Sequence, residues 1–221
     1  MPKIPVARQS VPGPNTRIIG SATKATTVPS APVQSKGYFT VGSTRDEVLE
    51  VQGAPTKFTD TSLTYGLSIV SFANGRVSSW NIYASSPLKA QLLPSAPVQS
   101  KGYFTVGSTK DEVLEVQGTP TKFTDTSLTY GLSNVSFANG RVSSWNIYAS
   151  SPVKAQLLPS APVQSKGYFT VGSTKDEVLE VQGTPTKFTD TSLTYGLSNV
   201  NFTNGRVSSW NIYASSPLNV R

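Results

Sequence analysis

The chain has 221 residues and a formal net charge of +7, and it contains neither cysteine nor histidine. The absence of these two residue types excludes disulfide frameworks, thiol nucleophiles, Cys/His zinc sites and Ser-His-Asp triads. A catalytic function would therefore have to use carboxylates, Lys, Tyr or Ser.

Residues 1–35 form a basic, proline-rich segment. They contain six prolines, no acidic residue and no aromatic residue, so we expect the segment to have no core of its own. We predict an extended N-terminal arm that anchors the chain to a larger assembly. The start of the arm lacks the apolar run of a classical signal peptide, so we expect none there. The bases of this candidate anchor are Lys3, Arg8, Arg17 and Lys24.

Three nearly identical repeats follow the arm with a period of 65 residues, because KGYFTVGST begins at Lys36, Lys101 and Lys166. Each repeat carries a net charge of only +1, which argues against nucleic-acid binding by the repeats. No stretch reaches about 18 apolar residues, so we expect no membrane span. The segments rich in Pro and Ser predict extended linkers. The predicted domains are the arm at 1–35, modules at 36–86, 101–151 and 166–221, and linkers at 87–100 and 152–165.

The segment 44–53 has the signals of a short helix. Thr44 followed by Glu47 is a capping box, Asp46 adds negative charge to the first turn, and Gly53 tolerates positive φ at the end. These features explain Asp46, Glu47 and Glu50 as structural residues. Their spacing matches no calcium-binding loop. We therefore predict no catalytic residue, no metal ligand and no cofactor.

The rest of each module has the pattern of an antiparallel meander. In the first repeat, residues 56–60, 62–66, 68–73 and 76–83 are rich in β-branched and aromatic side chains, and Asn74-Gly75 predicts a type I′ hairpin turn. We predict an α+β fold of three tandem small modules, each a short helix packed on a three- to four-stranded antiparallel β meander, preceded by the extended arm. The predicted core of the first module is Phe39, Val41, Val48, Leu49, Phe58, Leu63, Tyr65, Val70, Phe72, Trp80 and Ile82.

Two stretches of the sequence resemble known protein families. The segments VGSTKDEVLEVQGTPT and VSFANGRVSSW are similar to the conserved pattern of SmpA/OmlA-like (BamE-like) small α/β domains. That family has a lipid-anchored cysteine and a second helix, which this chain lacks, so the resemblance implies the fold and not the role in outer-membrane assembly. Separately, MPKIPVARQSV resembles the opening of some tailed-phage virion proteins, whose N-termini lie extended against neighbouring subunits.

Modules of this size predict a need for outside support. A domain of about 50 residues buries only about 60% of its unfolded surface and is marginal without a disulfide or metal. We expect the linker, the next module or a host assembly to help. The segment GYFTV before each helix is a candidate edge for strand addition to a neighbour, and three linked copies would bind multivalently. The candidate edge residues are Tyr38, Phe39, Tyr103, Phe104, Tyr168 and Phe169.

These features favour a non-enzymatic bacteriophage virion protein, a capsid or tail component that displays three modules within a larger homo- or hetero-oligomeric assembly. The expected partners of its N-terminal arm are other virion or surface proteins. The alternative is a bacterial cell-surface or extracellular repeat protein that binds glycan or protein partners, such as a host-surface ligand, through Tyr38, Tyr83 or Trp80. A hydrolase that uses Asp60 or Glu50 with Tyr65 has little room for a substrate cleft. The near-identity of the repeats is also compatible with a constructed repeat protein, but the irregular arm does not look designed.

Overall fold

The computed structural model describes residues 36–164 and 166–221. Each repeat within these residues contains one helix followed by four strands. The helices are α1 (Arg45–Gln52), α2 (Lys110–Gln117) and α3 (Lys175–Gln182). The strands are β1 (Lys57–Thr59), β2 (Ser62–Tyr65), β3 (Ser68–Ala73), β4 (Arg76–Asn81), β5 (Lys122–Thr124), β6 (Ser127–Tyr130), β7 (Ser133–Ala138), β8 (Arg141–Asn146), β9 (Lys187–Thr189), β10 (Ser192–Tyr195), β11 (Ser198–Thr203) and β12 (Arg206–Asn211).

All of these strands belong to one antiparallel sheet in the order β1 to β12. Sequential strands pair within each repeat, and β4 pairs with β5 and β8 with β9 across the repeat boundaries. The prediction of three separate helix-on-meander modules is therefore wrong, because the described residues form one open, mostly β structure with three short helices. The physical reason is that the edge of a small meander exposes unpaired N–H and C=O groups, which the adjoining repeat can pair.

Each repeat nevertheless builds its local elements as its sequence predicts. Thr44 Oγ1 accepts a hydrogen bond from the Glu47 amide at 3.3 Å, and Glu47 Oε2 accepts one from the Thr44 amide at 2.6 Å. Gly53 ends α1 at φ 86° and ψ −161°, a region almost exclusive to glycine. Asn74 and Gly75 have φ values of 51° and 72°, as a type I′ turn requires. The capping box and the hairpin turn are thus confirmed.

A β-bulge in the last hairpin of each repeat decides which side chains enter the core. In the first repeat Phe72 pairs with Val77, whereas Ser71 pairs with Ser79, so β4 has one extra residue. The extra residue interrupts the alternation and lets both Val77 and Trp80 face the core. Each of these two side chains is only 2% exposed. Strict alternation could not identify Val77 as a core residue for this reason.

Most of the predicted core of the first repeat is buried, and α1 packs on the sheet through Val48 and Val51. Leu49 and Ile82 are half-buried at the margin of this cluster. Val41 is 41% exposed and Phe58 is 73% exposed, so their assignment to the core is wrong. Phe58 lies on β1, and the structure describes no strand on the outer side of β1.

The first part of each linker packs on the repeat that precedes it. The Phe39 amide donates to the Lys89 carbonyl oxygen and the Gln91 amide donates to the Phe39 carbonyl oxygen, both at 2.9 Å. Ala90 is buried, and Leu92 packs against the cores of both the first and the second repeat. The linker and the adjoining repeat therefore supply the outside support that the small size of the modules predicts.

Candidate functional site

The junction between the first two repeats is built around one buried tryptophan. Trp80 Nε1 donates to the Pro120 carbonyl oxygen at 3.1 Å. The indole also meets the ring of Phe123 with 4.7 Å between centroids, and that of Phe39 in its own repeat with 6.1 Å, both edge-on. Edge-on pairs place the positive rim of one ring against the negative face of the other. We call this contact and its counterpart in the next junction the aromatic joints.

The second aromatic joint repeats this chemistry 65 residues later. Trp145 Nε1 donates to the Pro185 carbonyl oxygen at 3.1 Å, and its ring lies 5.5 Å from that of Phe188 with a tilt of 37°. Trp145 is 2% exposed and Phe188 is 4% exposed. Trp145 and Phe188 are also register partners of β8 and β9. The same residue types therefore form the same contact twice within the chain.

Backbone hydrogen bonds extend each aromatic joint beyond the rings. The Ile82 amide donates to the Thr121 carbonyl oxygen at 2.8 Å, and the Ile147 amide donates to the Thr186 carbonyl oxygen at 2.7 Å. In the linker, the Leu92 amide donates to a threonine hydroxyl, that of Thr119, at 3.1 Å. At each joint, the tryptophan and isoleucine of one repeat donate hydrogen bonds to backbone carbonyl groups of the next repeat, and the indole packs against one phenylalanine of that repeat. Main-chain hydrogen bonds combined with a side-chain contact are typical of strand addition.

The two outer ends of the sheet carry the same residue types without a partner in the described part of the chain. Phe58, the counterpart of Phe123 and Phe188, is 73% exposed on β1. Trp210, the counterpart of Trp80 and Trp145, is half-buried on β12 and contacts Phe169 of its own repeat at 5.9 Å between centroids. Each end therefore presents one half of an aromatic joint.

The carboxylates at the helix starts have structural partners. Glu112 Oε2 accepts from the Thr109 amide at 2.6 Å, as Glu47 does in the first repeat. In the third repeat, the hydrogen bond from the Thr174 backbone lowers the pKa of Glu177. Among residues 36–164 and 166–221, no group of three His, Cys, Asp or Glu side chains is arranged to hold a metal ion.

Tyr65, one of the residues considered for a hydrolase, has a structural partner. Its side chain is buried, its hydroxyl donates to the Gly53 carbonyl oxygen at 3.1 Å, and burial raises its pKa. Asp60 and Glu50 are both exposed. The backbone carbonyl of Asp60 accepts a hydrogen bond from the Arg45 guanidinium at 2.6 Å. The hydroxyl of Tyr65 thus supports the end of α1.

The candidate strand-addition edge before each helix contacts the linker of its own repeat. The buried residues Phe39, Phe104 and Phe169 form parallel bridges with Ala90, Ala155 and Val220, respectively. The adjoining tyrosines Tyr38, Tyr103 and Tyr168 are half-buried. The candidate anchor residues Lys3, Arg8, Arg17 and Lys24 lie outside the described residues, so their role stays a prediction.

A second surface of interest is a groove of about 490 Å³ between the second and third repeats, beside the second aromatic joint. Tyr148 of the second repeat and Leu197 of the third repeat both line it. Tyr148 is 47% exposed and Leu197 is 64% exposed. The counterparts of these residues in the other repeats are also exposed, namely Leu67, Tyr83, Leu132 and Tyr213.

Sequence reasoning identified Trp80 as a core residue but missed the residues that Trp80 contacts across the repeat boundary. Pro120 and Phe123 lie 40 and 43 residues further along the chain, and no short motif joins them to Trp80. The available signal was the repeat itself, since each repeat carries a PTKF segment and, further along, a tryptophan.

Comparison with known proteins finds no family model, curated protein or solved structure that matches this chain. The resemblance of the repeats to SmpA/OmlA-like domains and that of the arm to phage virion proteins therefore stay predictions. No helix among the described residues is both long and apolar enough to cross a membrane.

Proposed function

We propose that the chain is a non-enzymatic structural protein of a bacteriophage particle. In this proposal, residues 1–35 anchor the chain to other virion proteins, and the repeats are displayed on the capsid or tail as binding or stabilising elements. The observation that carries the proposal is the aromatic joint, which fuses three repeats into one continuous sheet. Such a sheet is a stiff building element, and a stiff element suits display from a fixed anchor.

Charge and side-chain chemistry support separate roles for the two parts of the chain, with attachment by the arm and a structural role for the repeats. The arm carries a charge of +4 and each repeat only +1, so electrostatic attachment to an acidic surface falls to the arm. In the repeats, Glu47, Glu112 and Glu177 are used to cap helices, and Tyr65 supports a helix end. These side chains thus have structural work that needs no substrate.

The proposal is tested by neutralising the arm in the intact chain. Changing Lys3, Arg8, Arg17 and Lys24 to Gln should remove the chain from gradient-purified phage particles, measured by quantitative mass spectrometry. The matched control changes four exposed lysines outside the arm to Gln and should leave incorporation unchanged; these are Lys36, Lys89, Lys101 and Lys154. Equal incorporation of both variants, or absence of the unmodified chain from particles, would contradict the proposal.

The second candidate function is a cell-surface or extracellular protein that binds glycan or protein ligands. The exposed Leu and Tyr side chains at the repeat boundaries favour it, and two of them, Tyr148 and Leu197, line a groove. Trp80 is buried and so offers no stacking platform. The candidate predicts that Tyr148→Ala weakens binding of labelled chain to host cells, whereas the exposed linker change Leu158→Ala does not. Equal binding of the two variants would count against it.

A further inference from the structure

The two ends of the sheet are halves of the same joint, and we infer that one copy of the chain docks its β12 end on the β1 end of a second copy. The docked copies would then reproduce the aromatic joint that the chain already forms twice. This inference depends on the geometry of the joint and not on the particle assigned to the protein above. The partner is a second copy of this chain.

The sequence of the two ends supports this assignment. The β12 end presents Trp210, Asn211 and Ile212, which are the residue types that Trp80, Asn81 and Ile82 supply at the first joint. The β1 end presents Pro55, Thr56, Lys57 and Phe58, which are the residue types that Pro120, Thr121, Lys122 and Phe123 supply. Both halves are therefore present, unchanged in type, on every copy.

The exposure of these side chains shows what each end lacks. Phe58 is 73% exposed where Phe188 is 4% exposed. Ile212 is 46% exposed, whereas Ile82 and Ile147 are half-buried. In the same way, Pro55 is half-buried where its counterparts Pro120 and Pro185 are buried, and Trp210 is half-buried where its counterparts are buried. Docking would return all four side chains to the environment that their counterparts have.

Hydrogen-bonding groups at the two ends are also complementary. At the internal joints the indole N–H donates to a proline carbonyl, and an isoleucine amide donates to a threonine carbonyl. The corresponding donors are Trp210 Nε1 and the Ile212 amide, and the corresponding acceptors are the Pro55 and Thr56 carbonyl oxygens. No partner for either donor lies among the described residues. An unpaired sheet edge of this kind is a template for another strand.

The docked joint differs from the internal joints around the linker contact. Residues 218–221 read LNVR where the first two repeats have LKAQ and VKAQ, and the 221 residues stop one short of the position equivalent to Leu92 and Leu157. Thr119 and Thr184 accept hydrogen bonds from the Leu92 and Leu157 amides, and the first repeat has Ala54 at this place. Docking between copies also lacks the covalent linker, which gives the internal joints an effective concentration of about 1 mM or more. We therefore expect the joint between copies to be weaker than the internal joints and to form only at high protein concentration.

The two ends are unlike each other, so their contact is heterologous. A pair of docked copies still carries one free β1 end and one free β12 end, and growth continues unless the assembly closes into a ring. Sedimentation velocity of the full chain between about 1 µM and 1 mM should therefore show mass that rises with concentration in steps of 23.5 kDa. A chain that stays monomeric throughout this range overturns the inference.

Two substitutions, one at each end, provide the specific test. Phe58→Ala removes an exposed ring and should weaken association by about ten-fold or more without disturbing the fold. Trp210→Ala should do the same from the other end, and Ile212→Lys is its substitute if circular dichroism shows loss of folded protein. The matched control is Leu132→Ala, an exposed apolar residue of the middle repeat, which should leave association unchanged.

Mixing the two end variants separates this arrangement from other modes of association. Phe58→Ala keeps an intact β12 end and Trp210→Ala keeps an intact β1 end, so their mixture should form heterodimers and grow no further. A symmetric dimer through like ends, or binding through an unrelated surface, would not give this result. Continued growth of either variant alone, or a mixture that remains monomeric, overturns the inference.

Discussion

Three phenylalanines at equivalent positions of the repeats have different environments, and this permits a sharp test of the aromatic joints. Phe58, Phe123 and Phe188 occupy equivalent positions in the segment TKFT. Phe58 is 73% exposed, Phe123 is half-buried against Trp80, and Phe188 is 4% exposed. Substitution by alanine should therefore lower the free energy of unfolding least at Phe58, more at Phe123 and most at Phe188.

The exposures set the magnitude of the effect. A phenylalanine buries about 200 Å² when it is fully covered. The exposed fractions of 73% for Phe58 and 4% for Phe188 mean that Phe188 buries an additional area of roughly two thirds of this value. At about 25 cal/mol per Å², the difference is about 3 kcal/mol. Loss of packing in the vacated space places Phe188→Ala within the usual range of about 3–5 kcal/mol for buried phenylalanines. Phe58→Ala should lie within about 0.5 kcal/mol of the unmodified chain.

Equilibrium unfolding in urea, followed by tryptophan fluorescence and by circular dichroism, measures these differences. The protein concentration should be at or below about 1 µM, so that association between copies does not contribute. The m-value reports whether the repeats unfold together, since it scales with the surface exposed in one transition. Equal losses for Phe58→Ala and Phe188→Ala would refute the claim that the joint stabilises the sheet.

Three further predictions concern the second repeat. Thr109→Ala removes the N-cap of α2 and should lower the unfolding free energy by about 1 kcal/mol in urea titrations. Gly131→Ala should cost more than Gly140→Ala in the same assay, because both have positive φ but only at Gly131 would a Cβ meet the Ser151 hydroxyl, at 2.3 Å. Burial raises the pKa of Tyr130 above its usual value of 10.0. The contribution of this shift to stability is therefore fully present below pH 10 and is lost as the pH rises toward the folded-state pKa. Absorbance titration at 295 nm should show that Tyr130→Phe has one late-ionising tyrosine fewer than the unmodified chain.

Local structure was predictable because neighbouring residues determine it. The capping box of Thr44 and Glu47 requires only a hydroxyl and a carboxylate three residues apart. The hairpin requires positive φ at Asn74 and Gly75, which these residue types tolerate. The helix and strand order of every repeat follows from such signals. These local signals do not, however, predict which strands of neighbouring repeats pair with each other.

The continuous sheet was not predictable from these local signals, and Phe58 shows why. Its immediate sequence is that of Phe123 and Phe188, yet the three side chains differ in exposure from 73% to 4%. What differs is that the tryptophan of the preceding repeat packs against Phe123 and against Phe188, whereas no repeat precedes Phe58. The bulge that turns Val77 inward is likewise a property of the paired strands, since it appears only in the register of β3 with β4.

One of the few differences between the repeats bears on the strength of the joint between copies. Only four positions differ between residues 36–100 and 101–165, and one of them is Ala54, which replaces the threonine that accepts a linker amide at the internal joints. One hydrogen bond contributes about 1 kcal/mol, which corresponds to about a five-fold difference in association constant. Together with the missing covalent linker, this makes the joint between copies weaker than the joints within a copy. We therefore expect the sheet within one chain to stay intact under conditions in which the contact between copies dissociates.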